Sequence, residues 1–365
     1  MLEKGTPYAG ASGDCAIVVG AGIAGLCAAR VLSEHYRRVV ILERDRLEAE
    51  PRTRRGVPQG QHLHGLLAAG VRALEALFPG FMRQASQRGG HVVDVGNFAT
   101  WYADGVELPQ LETGMSGLLL TRPLLDALLR AQLAVRENVV IEDDVQVLAL
   151  EGSAWKITGV CVRNGDGSEQ TVAADLVVDA SGRNAALPGW LARFGLPAPE
   201  EESVRMELTY TTCLIRRKPH HLRGRLGFVY PPTAPGLRAG AALAVEGDRY
   251  IVTLMGYLKE RAPRTFAGMV EYARSLPVPE LYELLRDSEP LTEPVELRDP
   301  ESTRRRYERS KHWPEGLVPI GDSLCSINPV QAHGITLAAL EAQILARQLS
   351  EGARGLAQRF FAEVT

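Results

Sequence analysis

Cys15-Ala16-Ile17-Val18-Val19-Gly20-Ala21-Gly22-Ile23-Ala24-Gly25 is the stretch that decides the fold. An apolar run, a Gly-x-Gly-x-x-Gly turn and a helix start follow one another without a gap, the order in which a strand, turn and helix hold a dinucleotide by its pyrophosphate. Gly20 lets the chain turn sharply off the strand, Gly22 lets backbone approach the phosphates, and Gly25 lets the helix pack close to the sheet. The first-turn amides, at Ile23 and Ala24, then point at the anion. Arg38-Val39-Val40-Ile41-Leu42-Glu43 reads as the second strand and ends in an acid eighteen residues past Gly25, just before Arg44. A carboxylate at that spacing accepts from adenosine ribose hydroxyls, and it disfavours a 2′-phosphate because like charges repel.

The chain has 365 residues, 45% of them hydrophobic, so two domains or one elaborated α/β unit are expected. With 41 Lys+Arg against 44 Asp+Glu, no basic footprint for nucleic acid or a polyanionic surface is present. No stretch approaches the roughly eighteen apolar residues of a membrane span, and residues 1–13 read as a flexible polar tail. Cys15, Cys27, Cys161, Cys213 and Cys325 form no Cys-x-x-Cys pair and read as buried free thiols of a cytoplasmic protein.

Residues 51–64 form a basic, turn-rich loop that leads into a helix near Leu66. Arg54 and Arg55 are cations suited to a pyrophosphate, although an Arg cluster in a loop is as often simply solvated. His62 and His64 lack the acid or thiol cluster of a metal site, so no metal is expected. They read as polar contacts at a cofactor rim or as a packed pair. Segment 119–125 begins a helix with Pro123 in its first turn.

Two later segments point from a dinucleotide in general to a flavin. Segment 174–183 contains a strand that runs into the small-residue turn Ala180-Ser181-Gly182. Segment 316–323 is a strand ending in Gly321-Asp322, followed by Asn328-Pro329 and by Gly334-Ile335 at the head of a helix. Ile335, Ala338, Ile344, Leu345 and Leu349 mark one buried face of that helix. Gly321 permits close approach, and Asp322 accepts from a sugar-alcohol hydroxyl. The amides at the helix head favour the negative charge that a reduced flavin carries at its N1/O2 edge.

With these motifs the chain resembles the FAD-dependent monooxygenases of the aromatic-hydroxylase and squalene-epoxidase-like superfamily, and among them the bacterial flavin epoxidases of polyether biosynthesis. The likeness runs from Gly20 through Arg54-x-Gly56-Val57-Pro58-Gln59 and Arg122-Pro123-Leu124-Leu125-Asp126 to Gly321-Asp322. It implies an α/β fold: a Rossmann-like FAD-binding domain of the glutathione-reductase type with an inserted antiparallel β-sheet substrate domain. It implies that Gly20, Gly22, Ile23, Ala24, Gly25, Glu43 and Arg44 hold the ADP half of FAD. Arg54 and Arg122 then lie near the pyrophosphate and ribityl chain, and backbone around Val145 touches adenine. Asp322 binds the ribityl chain, Ala180, Gly182 and Gly321 are further cofactor contacts, and the stretch with Pro329, Gly334 and Ile335 cradles the isoalloxazine ring. The implied reaction inserts one oxygen atom from O2 into an apolar polyketide, isoprenoid or aromatic substrate through a flavin hydroperoxide, as epoxidation or hydroxylation.

Three departures accompany the likeness. Ser181-Gly182 stands where the superfamily has Asp-Gly, a motif associated with both FAD and the reduced nicotinamide. Gln331 and Ala332 replace the Tyr and Gly of the familiar Asn-Pro-x-Tyr-Gly-x-Gly-Met. The chain ends at Thr365 where such relatives continue through a helical segment, so a more open site or a trimmed sequence is expected.

Segments 204–215, 226–229, 239–245 and 249–257 read as strands, the last two joined by a tight hairpin at Glu246-Gly247-Asp248. This is the expected substrate sheet, with Tyr210, Tyr230 and Tyr257 as pocket candidates, although aromatic residues on strands more often serve sheet packing. His220-His221 reads as solvated, and segment 302–307 is a candidate basic contact to substrate or FAD. The expected division gives 14–90, 110–195 and 296–365 to the FAD-binding domain and 91–109 with 196–295 to the substrate domain. No second Gly-x-Gly-x-x-Gly unit exists, so electrons come from NAD(P)H bound without that fold or from a separate flavin reductase. No side chain is singled out as catalytic, since the cofactor carries the chemistry. A flavin-dependent reductase of an isoprenoid-type C=C bond and a flavin-binding protein without net redox turnover remain as alternatives. The absence of a Trp-x-Trp-x-Ile-Pro segment speaks against a halogenase.

Overall fold

Short strands that are apolar on both faces require burial between two layers, and five of them form the first sheet of this computed structural model, which describes residues 12–365. Leu317–Pro319, Leu176–Asp179, Gly13–Val19, Tyr36–Leu42 and Val139–Glu142 lie side by side in that order, all parallel. The helix Ile23–Leu32 packs on the first strand and on the long helix Gly334–Ser350. A third helix, Arg122–Ala134, has Thr121 as its cap, the hydroxyl accepting from the Leu124 amide, with Pro123 in the first turn. The first strand begins at Gly13, so the expected tail loses its last residue to the sheet. Residues 1–11 lie outside the described residues.

The second sheet has eight strands in the order Cys325–Ser326, Val295–Arg305, Glu201–Arg216, Arg249–Gly256, Arg238–Val245, Gly227–Tyr230, Ala99–Ala103 and Val106–Glu107. All neighbours are antiparallel except Gly227–Tyr230 with Ala99–Ala103. Val245 pairs with Arg249 across the hairpin, where Gly247 and Asp248 both take left-handed backbone. Alternation along the strands gives two distinct faces. Cys213, Ile215, Tyr250, Val252 and Leu254 face the helices Phe266–Arg274 and Glu280–Arg286. Leu208, Tyr210, Ala239, Ala241 and Met255 form the other face, against which Leu63 and Val330 pack. The expected fold, a Rossmann-like α/β unit with an antiparallel substrate sheet, is the fold observed.

The expected division does not follow the sheets. Val295–Arg305 is an inner strand of the eight-stranded sheet, although the boundary at 296 places it with the cofactor domain. It carries charges where an apolar alternation would have marked a strand, and cross-strand ion pairs hold it, such as Arg305 to Glu201 at 3.0 Å. His91–Asp94 belongs instead to a small sheet with Ser116–Leu119 and Gly65–Leu66. Among the described residues no helix is long and apolar enough to cross a membrane.

Candidate functional site

Three parallel strands, Gly13–Val19, Leu176–Asp179 and Leu317–Pro319, end side by side, and each continues into one of the small-residue turns. Gly20 takes φ +101°, and a Cβ there would lie 2.7 Å from the Ala180 carbonyl oxygen. A Cβ at Gly25 would fall 1.9 Å from the Gly20 carbonyl oxygen, so the backbone crossing itself demands glycine at both. Gly22, Gly182 and Gly334 differ, because a Cβ at any of them meets nothing within 4 Å. Their missing side chains leave open space beside the first two turns and at the head of the Gly334–Ser350 helix. Gly22 caps the Ile23–Leu32 helix without a side-chain bond, so the first-turn amides, Ile23 and Ala24 among them, have no intrahelical partner and suit an anion.

The turns are fastened to one another. A Cβ on Gly321 would come within 2.6 Å of the Ala24 Cβ, which sets the Gly321-Asp322 turn against the first helix. The Gly182 amide donates to Ser323 Oγ at 3.1 Å. Arg305 donates to the carbonyls of Arg183, Ser323 and Asp322 at 2.9, 3.2 and 3.3 Å. The basic contact expected from segment 302–307 is therefore a clamp on the backbone of two turns, made from the eight-stranded sheet. From behind, the buried Glu341 accepts the Gly321 amide at 2.6 Å, and burial lifts its carboxyl to about 7. Burial likewise raises the Asp179 carboxyl, despite hydrogen bonds from Ser181 and Ser323.

Glu43 stands where the sequence places it and is buried. Its Oε2 accepts from the Ala21 amide at 2.8 Å and from Arg54 Nη1 at 2.9 Å, and its Oε1 from the Asp45 amide at 3.0 Å. Arg54 is not an extended cation. It also donates to the Ala21 carbonyl at 3.0 Å and to Asp126 Oδ2 at 3.2 Å, and Arg122 Nε donates to Asp126 Oδ1 at 2.7 Å. The result is a buried, charge-neutral row, Glu43, Arg54, Asp126, Arg122, that ties the second strand to the 122–134 helix. The Arg122-x-x-x-Asp126 spacing, one helical turn, could have shown one link of this row, the Arg122–Asp126 pair. The Val145 amide donates to the Glu43 carbonyl at 2.9 Å, and exposed Arg44 lines a cleft of about 480 Å³ with Arg55, Gln146 and Arg163.

Of the tyrosines, Tyr210 and Tyr257 lie with the sheet face that Leu63 and Val330 cover. Tyr230 does not: the register puts its side chain on the opposite face, among Phe228, Ala242 and the two covering helices, because neighbours along a strand alternate in direction. Asn328 Nδ2 donates to Tyr257 Oη at 3.4 Å and its Oδ1 accepts from the Val330 amide at 3.1 Å, fastening the 329–335 loop to the sheet. Pro329 and Gly334 are exposed and Ile335 is buried. Ala332 holds φ +54° where the familiar motif has glycine. The basic loop expected over 51–64, with a helix near Leu66, has more structure than that. It contains a single 3-10 turn, Pro58–Gln61, and the helix begins at Ala68.

Burial holds both His62 and His64 neutral, each pushed down to about 4. His220, His221 and Asp287 form a second titratable group, where the 3-10 turn His221–Gly224 meets the end of the helix Glu280–Arg286, and the Asp287 carboxyl sits well below its usual range because His220, Lys218 and His221 donate to it. Lys218 Nζ lies 3.2 Å from Asp287 Oδ2, and the Lys218 amide donates to His221 Nδ1 at 3.2 Å. That places the neutral ring's proton on Nε2, the nitrogen facing Asp287, where a metal ion needs a bare lone pair. The cluster is an ion-pair network.

The chain belongs to the FAD binding domain family, whose model matches residues 14–361. Protein Rv3254 of Mycobacterium tuberculosis is 32% identical over 358 residues, covering 92% of this chain and 73% of that protein. Among solved structures, PqsL, a probable FAD-dependent monooxygenase from Pseudomonas aeruginosa, superposes with a TM-score of 0.72 at 18% identity, over 96% of this chain and 91% of that one. The myxobacterial chondrochloren halogenase CndH superposes with a TM-score of 0.72 at 20% identity, over 96% and 78%. At these identities the structural likeness is one of fold.

Proposed function

We propose that the groove between the three turns and the apolar sheet face holds FAD, and that the protein is an FAD-dependent monooxygenase. It puts one oxygen atom of O2 into an apolar polyketide, isoprenoid or aromatic substrate, by epoxidation or hydroxylation. The observation that carries this reading is the open space at Gly22 and Gly182, at the carboxyl end of a parallel sheet where α/β folds bind their ligands, with further open space at Gly334 at the head of the long helix. In this reading Gly20, Gly22, Ile23, Ala24 and Gly25 take the pyrophosphate and Glu43 the adenosine ribose. Arg44 and Val145 take the adenine end, and Arg54 and Arg122, already paired with Glu43 and Asp126, hold the wall beside the phosphates rather than supplying free charge. Ala180, Gly182, Gly321 and Asp322 line the ribityl chain, and Pro329, Gly334 and Ile335 the ring.

Bound FAD, once reduced, supplies the oxygen-transfer chemistry. The protein binds and orients the substrate and keeps water out. Tyr257, partly exposed at the margin of the buried face formed by Leu208, Tyr210 and Met255, is the candidate contact for this, and the helix head at Gly334 favours negative charge on the part of the ring it meets. Electrons arrive from NAD(P)H directly or through a flavin reductase. Anaerobic addition of NADPH or NADH to the FAD-loaded protein tests the route: bleaching means direct reduction, and flavin that stays oxidised until dithionite is added means a separate reductase. Reduced flavoprotein that consumes no oxygen in air would overturn the monooxygenase reading in favour of a C=C reductase or a non-redox role.

A further inference from the structure

His62 is a polar side chain placed on an otherwise apolar surface. It follows the 3-10 turn Pro58–Gln61, and its neighbour Leu63 packs with Val330 against the face formed by Leu208, Tyr210, Ala241 and Met255. His62 itself is 5% exposed and lies 5.8 Å from the Tyr210 ring, centroid to centroid. One ring nitrogen is fixed: Nδ1 bonds Thr212 Oγ1 at 2.7 Å, and Thr212 Oγ1 bonds Thr253 Oγ1 at 2.7 Å. Thr212 and Thr253 are cross-strand partners in the middle of the substrate sheet. The other nitrogen, Nε2, is buried and has no hydrogen-bond partner among the described residues.

An imidazole buried neutral with one nitrogen orphaned is costly to keep, and a leucine at this position would pack without that penalty. The two threonines orient the ring and leave Nε2 for a partner that arrives from outside the chain. The Thr212 hydroxyl has one proton to give, either to His62 Nδ1 or to Thr253, so Nε2 is left as a donor in one arrangement and an acceptor in the other. A hydroxyl group, which both donates and accepts, satisfies either arrangement. A hydrocarbon or an ether satisfies at most one.

We propose that His62, oriented by Thr212 and Thr253, is a specificity-determining residue that binds a hydroxyl group on the otherwise apolar substrate through Nε2. This inference rests on the FAD-dependent reading of the groove and adds a chemical class to it. The substrate is an apolar molecule with a hydroxyl group anchored on the sheet face.

The test uses the full chain loaded with FAD and two probes of similar shape, 2-naphthol and 2-methoxynaphthalene, each titrated while the absorbance of the bound flavin is followed. The expected result is tighter binding of the naphthol, roughly 10- to 100-fold, the range set by leaving one buried polar group unpaired. His62→Leu is expected to bind both probes alike, and Thr212→Val, which frees the ring but keeps the imidazole, to lose most of the preference. Thr212→Ser restores it. Equal binding of both probes by the wild type, binding of neither, or a preference retained in His62→Leu overturns the inference. FAD uptake is read in the same titration, so a wild-type protein that takes up no FAD overturns the parent reading instead. Unchanged FAD uptake by all three variants shows that they fold.

Discussion

At Glu43 a single carboxylate joins the first turn, the second strand and Arg54, and Arg54 passes the connection to Asp126 and Arg122. Glu43→Ala is expected to weaken FAD retention, measured by fluorescence titration, because it removes both the ribose acceptor and the partner of Arg54. Asp126→Asn touches no expected FAD contact but leaves two arginines facing one acid. Breaking a buried ion pair in this way costs about 3 kcal/mol, measurable by urea unfolding of the apoprotein. Glu341 makes a prediction of opposite sign. Its carboxyl is lifted from an ordinary value of 4.5 to about 7, so the folded state holds a proton that the unfolded chain releases between those pH values. Stability from this group is complete below pH 4.5 and falls away as pH rises to 7, by roughly 3 kcal/mol. Glu341→Gln keeps an acceptor for the Gly321 amide without the charge. It should be more stable than wild type at pH 8, the two curves meeting near pH 4.5.

The three turns separate two uses of glycine that look alike in the sequence. Gly25→Ala is expected to destabilise the apoprotein severely, because its Cβ has no room against the Gly20 carbonyl. Gly22→Leu should leave the apoprotein's melting temperature within a few degrees of wild type and abolish FAD binding, because its side chain enters open space. This contrast marks how far the sequence could be read. The Gly-x-Gly-x-x-Gly turn, the acid at 43, the Gly321-Asp322 strand and the 246–248 hairpin were legible because local backbone geometry demands particular residues there. The strand Val295–Arg305 was not, since ion pairs to a partner about a hundred residues away hold it in place of an alternating pattern. Arg305 was legible as a cation near the site but not as the clamp on three carbonyls. Tyr230 was misplaced because aromatic identity does not tell which face of a strand a residue occupies. His62 was legible only as a polar residue at a rim or in a packed pair with His64, and its orphaned nitrogen appears only with Thr212 and Thr253 brought beside it.

Histidines held neutral by burial shape how the molecule responds to acid: His35, His91 and His221 are pushed down, and His62 and His64 most clearly. His62 and His64 are each pushed down to about 4 from an ordinary 6.5. The unfolded chain therefore takes up two protons that the folded one refuses, and stability is lost as pH falls from 6.5 towards 4. Glu341 opposes this with one proton over an overlapping range. The net expectation is a falling urea midpoint on acidification, and His64→Gln should flatten the curve. These effects surround a groove whose occupant is the central claim. The most direct test is a titration of FAD into the purified wild-type protein and its Gly22→Leu variant, following flavin fluorescence and absorbance, with the fold of each checked by circular dichroism. Stoichiometric uptake by the wild type, lost in a folded Gly22→Leu variant, is the predicted result. A folded wild-type protein that leaves FAD free, or a Gly22→Leu variant that binds it equally well, would contradict the account.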